Sequence, residues 1–106
     1  MSKTYLLSAT VIFMLTAGSA FAASGEYQNL DAMVLANGHG ARTTCDITGQ
    51  YEGKTYCFGD DESKSQFMKE PATFRAKADA VYATKVNDPN WKPCDYYDDW
   101  KKGNCE

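Results

Sequence analysis

The chain has 106 residues, with 11 Lys and Arg against 14 Asp and Glu, a formal net charge of −3 and an isoelectric point near 5.1. That length holds one small domain, in the range where a single hydrophobic core is only marginally sufficient. An acidic balance without a Lys/Arg cluster excludes nucleic acid and is a poor match for anionic membrane surfaces, since phosphates reward dense positive charge.

The chain opens on Met1-Ser2-Lys3, a short, weakly positive start. Tyr5 to Leu15 is apolar apart from Ser8 and Thr10, and Ala20-Phe21-Ala22 supplies a small-x-small cleavage pattern. This order of features predicts a signal peptide over residues 1–22 and an exported, periplasmic or secreted protein. The apolar run falls short of the roughly 20 residues a membrane helix needs, so no stable membrane anchor is expected after cleavage. The remaining chain carries ten basic and fourteen acidic residues, a net charge of −4. Cys45, Cys57, Cys94 and Cys105 all lie in it. An even cysteine count in an oxidising compartment reads as disulfides, and four cysteines allow three connectivities. Sequence proximity favours Cys45–Cys57 and Cys94–Cys105.

In residues 23–44, Tyr27, Leu30, Met33 and Val34 recur at spacings that suit a short amphipathic helix, although Met33–Ala36 also reads as a strand. Asn37-Gly38 is a helix stop, because both residues tolerate the left-handed conformation. The single histidine, His39, follows between two glycines and is a candidate transition-metal ligand. Thr43 to Ile47 reads as a strand, Gly49 to Lys54 as the tight turn after it, and Thr55 to Phe58 as its partner. Such a hairpin brings Cys45 near Cys57. Period changes at Gly59: Asp60 is a candidate helix N-cap, and Asp61 and Glu62 complement the helix dipole. Capping accounts for this acidic trio better than a calcium or magnesium site does. Pro71 ends that helix and opens a second, whose apolar face is Phe74, Ala78, Val81 and Tyr82.

Turn residues at Asn87-Asp88-Pro89-Asn90 introduce the tail, residues 85–106. A calcium loop starting at Asp88 fails, having Lys92 at its fifth position and no glycine at its sixth. Asp95 to Lys102 reads as one or two helical turns closed by Cys94–Cys105. Trp91, Tyr96, Tyr97 and Trp100 either cover the small core or form a partner-binding patch, since Trp and Tyr carry much of the energy at interfaces.

Cys45-x-x-x-Gly49, Tyr51-x-Gly53-Lys54-x-Tyr56-x-Phe58, Phe67 and Glu70-Pro71-x-x-Phe74 together resemble the YHS domain, over residues 45–84. The resemblance implies a short hairpin with helices and, for many members, copper or other heavy-metal handling. Metal-type members carry cysteines where this chain has Gly59, Asp60 and Ser63; only Cys45 matches a family cysteine. The fold expected is therefore α+β: a short β-hairpin packed against two or three small helices, disulfide-stabilised.

Two functions follow as expectations. One is an accessory in copper or other transition-metal handling, with His39, Cys45 and Cys57 as ligands and Met33 or Met68 beside them. The other is a metal-free interaction subunit docking on a larger periplasmic protein through Trp91, Tyr96, Tyr97 and Trp100. An enzyme is not expected, because one histidine and cap-like acids leave no nucleophile with its base and orienting group, and no Cys-x-x-Cys is present.

Overall fold

The computed structural model describes residues 24–105; the expected signal peptide, residues 1–22, lies outside the described residues. In chain order they form a 3-10 turn (Glu26–Asn29), α1 (Ala32–Ala36), β1 (Ile47–Tyr51), β2 (Lys54–Phe58), α2 (Asp61–Lys69), α3 (Pro71–Lys85) and α4 (Tyr97–Lys101). The fold is α+β, a two-stranded antiparallel hairpin with four helices. Both Cys45–Cys57 and Cys94–Cys105 are bridged. Among the described residues, no helix is long and apolar enough to cross a membrane.

Three boundaries differ from expectation. The amphipathic helix from Tyr27 to Val34 is broken. Tyr27, Gln28 and Asn29 are left-handed (φ 61°, 57° and 67°), and the true helix begins only after Asp31. Left-handed backbone costs about 1–2 kcal/mol per residue for an L-amino acid, so the surroundings must hold it. They do: Gly25 N donates to Asn29 Oδ1 (2.6 Å), while Thr43 N and Oγ1 both donate to Asn29 O (3.2 and 2.7 Å). The Tyr27 ring packs on Tyr56 and Tyr82, and its hydroxyl donates to Asp79 on α3 (2.6 Å). Burial is worth more here than regular helix.

The hairpin is also shifted, its first strand beginning four residues later than expected, with a tighter turn. Its turn is Glu52-Gly53 alone, both with positive φ (51° and 79°), the geometry that matches the twist of two antiparallel strands. Ile47 pairs with Phe58 and Tyr51 with Lys54. Thr43 to Asp46 therefore lie outside β1, and Cys45 reaches Cys57 from a loop (φ 62°). Finally, the helices number four where two or three were expected.

Other expected boundaries hold. Asp60 Oδ1 accepts from Ser63 N (2.8 Å) at the start of α2, and Pro71 opens α3. The main core joins Leu30, Leu35, Tyr56, Phe58 and Phe67, with Phe74, Val81 and Tyr82 packed against it. A second, smaller cluster joins Val34, Ala41, Cys94 and Tyr97, with Trp100 and Cys105 at its edge. The tail is laid along the Gly40–Arg42 segment by two backbone hydrogen bonds, Cys94 N to Gly40 O (2.8 Å) and Arg42 N to Cys94 O (3.0 Å).

Candidate functional site

The local geometry is set by Asp31, whose side chain is fully buried. Its Oδ1 accepts from Met33 N (2.8 Å) and Val34 N (2.9 Å), capping α1. Its Oδ2 accepts from Gly59 N (2.8 Å), and the Ser63 hydroxyl lies 2.7 Å from both oxygens. One carboxyl thus fixes the start of α1, the β2–α2 turn and the first turn of α2 to one another. Burial pushes its pKa up from the ordinary carboxylate range, against the opposing pull of the donors. The signal was an aspartate directly before Ala32-Met33-Val34-Leu35, a capping position that the expected longer helix concealed.

With α1 fixed, the Gly38-His39-Gly40 loop leaves its end and meets the tail. A Cβ on Gly40 would sit 2.6 Å from the Trp91 ring and 2.8 Å from Pro93, so only glycine lets the tail lie this close. Beyond Pro93, α4 is held from both sides. Cys94–Cys105 closes it, and the Tyr97 ring fills the space that any Cβ at Gly59 would need. Lys101 Nζ bonds Asp60 Oδ2 (2.8 Å) and Glu62 Oε1 (3.3 Å) on α2. These two acceptors raise the pKa of Lys101. Burial alone would raise Asp60, but Lys101, the Ser63 amide and Tyr97 together hold it below the ordinary carboxylate range. Tyr97 is pushed up to about 12, first by burial and then by the nearby Asp31 and Asp60 charges.

This arrangement leaves a cleft of about 700 Å³ between the loop and the tail. His39, Lys85, Asn90, Trp91, Lys92 and Trp100 line it. Both tryptophans of the chain are therefore in one site. Trp91 packs against the main core and Trp100 against the smaller cluster, so the cleft has walls from both.

The structure divides the expected sites. His39 joins Trp91 and Trp100, residues half the chain away. Cys45 and Cys57 do not join them: they are bonded to each other, against Gly25 and Asn29. Among the described residues, no three of His, Cys, Asp and Glu are grouped so as to hold a metal ion. The aromatic set splits as well. Tyr97, the first residue of α4, is buried, whereas Tyr96 is 68% exposed; both line a separate cleft beside Arg42 and Asp95. Lys85 and Lys92 had no sequence signal, because isolated surface lysines become a site only when folding converges them. Compared with known proteins, the chain matches no family model, no curated protein and no solved structure.

Proposed function

We propose that this chain is an exported, YHS-like binding module that recognises its ligand without metal or catalysis, in the cleft between the His39 loop and the tail. The observation that carries this reading is the convergence of His39, Trp91 and Trp100 on one concavity of about 700 Å³. That volume lies in the range typical of ligand sites, roughly 300–1,000 Å³, and aromatic walls with a few polar groups are their usual lining. The Cys94–Cys105 disulfide braces the tail side of the cleft, with Cys105 itself in the lining. A pre-formed site loses less freedom on binding than one that must order its walls. The Cys45–Cys57 bridge also takes up the two thiols among the expected metal ligands.

Ligand-observed NMR on a mixture of neutral, cationic and anionic fragments tests the reading. Some fragments bind the oxidised protein and lose that binding in Trp100→Ala with the near-UV circular dichroism otherwise retained. Binding that survives Trp100→Ala places the site elsewhere and defeats the proposal. Stoichiometric copper or zinc in protein purified from the periplasm, with free thiols at Cys45 and Cys57, defeats it in favour of metal handling.

A further inference from the structure

The cleft has a charge character opposite to that of the chain. Lys85, at the last turn of α3, and Lys92, beside Trp91, both line it, together with the His39 imidazole. Among the described residues, no carboxylate lines it, and neither lysine forms an ion pair. The chain beyond the expected leader carries a net charge of −4. The chain as a whole therefore carries a charge that disfavours anions, whereas among the described residues no carboxylate pairs with these two ammonium groups. Lysine on a flexible stem beside an indole face favours a negatively charged head next to a flat apolar body.

We infer that the cleft takes a small organic anion with a planar aromatic part, the ring against Trp91 and Trp100 and the carboxylate, sulfonate or phosphate between Lys85 and Lys92. The inference rests on the binding-module reading and specifies the ligand class of that same site. Two exposed charge contacts, at their usual modest strength, together give about a tenfold preference for the anion over a neutral isostere. The preference falls as salt screens it, the Debye length shrinking from about 10 Å at 0.1 M to about 3 Å at 1 M. Ring contacts with the tryptophans are insensitive to salt by comparison.

The chain carries its own reporter, because both tryptophans line the cleft. The probes are 8-anilinonaphthalene-1-sulfonate and N-phenyl-1-naphthylamine, which share one ring system and differ only in the sulfonate. Each is titrated into the oxidised protein while tryptophan emission is followed. The expected result is saturable quenching by both, with the sulfonate about tenfold tighter at low salt. In Lys85→Gln/Lys92→Gln that preference disappears while the neutral probe keeps its affinity, and in Trp100→Ala both probes weaken. Equal affinity for the two probes, or a sulfonate preference that survives the double lysine substitution, overturns the anion inference and leaves the cleft as a binding site. Quenching by neither probe overturns the cleft reading itself.

Discussion

Replacing Asp31 by Asn tests whether one buried carboxyl holds α1, the β2–α2 turn and α2 together. The amide keeps the size of the side chain and one acceptor. With its oxygen on the α1 side, Met33 N and Val34 N remain capped, and Ser63 can turn its hydroxyl to accept from the new NH2 group. Gly59 N, which lies 2.8 Å from Asp31 Oδ2, then faces a donor. The Tyr97 ring packs against Gly59 and hinders, on one side, the approach of a replacement water. Leaving this part-buried N–H unsatisfied costs at most about 1–3 kcal/mol. The opposite amide orientation orphans two N–H groups and is worse. A domain of about 80 residues has only about 4–12 kcal/mol in total, and at about 1 kcal/mol per molar the urea midpoint falls by about 1–3 M. The pH dependence has a definite sign. Burial raises the folded-state pKa of Asp31 above its unfolded value. Its contribution is then complete below the ordinary carboxylate range and is lost as pH rises through the raised folded value. The gap between the native protein and Asp31→Asn is therefore widest in acid and narrows toward neutral pH. Other carboxylates, such as Asp60, cancel in that difference. Urea unfolding of both proteins at several pH values reads it directly. An Asp31→Asn protein as stable as the native one in acid, or a gap that widens as pH rises, would refute the reasoning.

Three further outcomes follow from the same geometry. Thiol titration of the denatured, unreduced protein finds no free thiol, and Cys94→Ser/Cys105→Ser lowers stability by about 2–3 kcal/mol, the entropy of closing so short a loop, with a matching drop in thermal midpoint. Gly59→Ala forces the Tyr97 ring out of its seat and costs about 1–3 kcal/mol as overpacking; a crystal structure with Tyr97 unmoved contradicts it. In Lys101→Met the Asp60 carboxyl titrates at higher pH, because its main favourable partner is gone. Asp60 is held low in the native protein, so its contribution is present above the ordinary carboxylate range and is lost as pH falls through the lowered value; Lys101→Met moves that loss to higher pH. NMR titration of the Asp60 side-chain carboxyl carbon measures this, and an unchanged midpoint dismisses the Lys101–Asp60 contact.

Local signals in the sequence carried much of the fold. The Asp60 cap, the Pro71 break, the Asn37-Gly38 stop and the apolar face of α3 were all legible, because each depends on residues close in the chain; cysteine spacing favoured the two observed disulfides among three connectivities. Tertiary contact decided the rest. Tyr27 to Asn29 had helical spacing, yet the burial of Tyr27 between Tyr56 and Tyr82 and the hydrogen bonds from Thr43 hold them left-handed. Asp31 was legible neither as a cap, since the expected helix ran through it, nor as a hub, since Gly59 and Ser63 reach it only when the β2–α2 turn folds back on α1. His39 and the tryptophans were each conspicuous in the sequence as separate features. Their meeting in one cleft with Lys85 and Lys92 depends on the backbone pairing of Gly40 and Arg42 with Cys94. Spacing along a chain encodes which face of an element is apolar; which distant side chains share a cavity follows from how those faces pack.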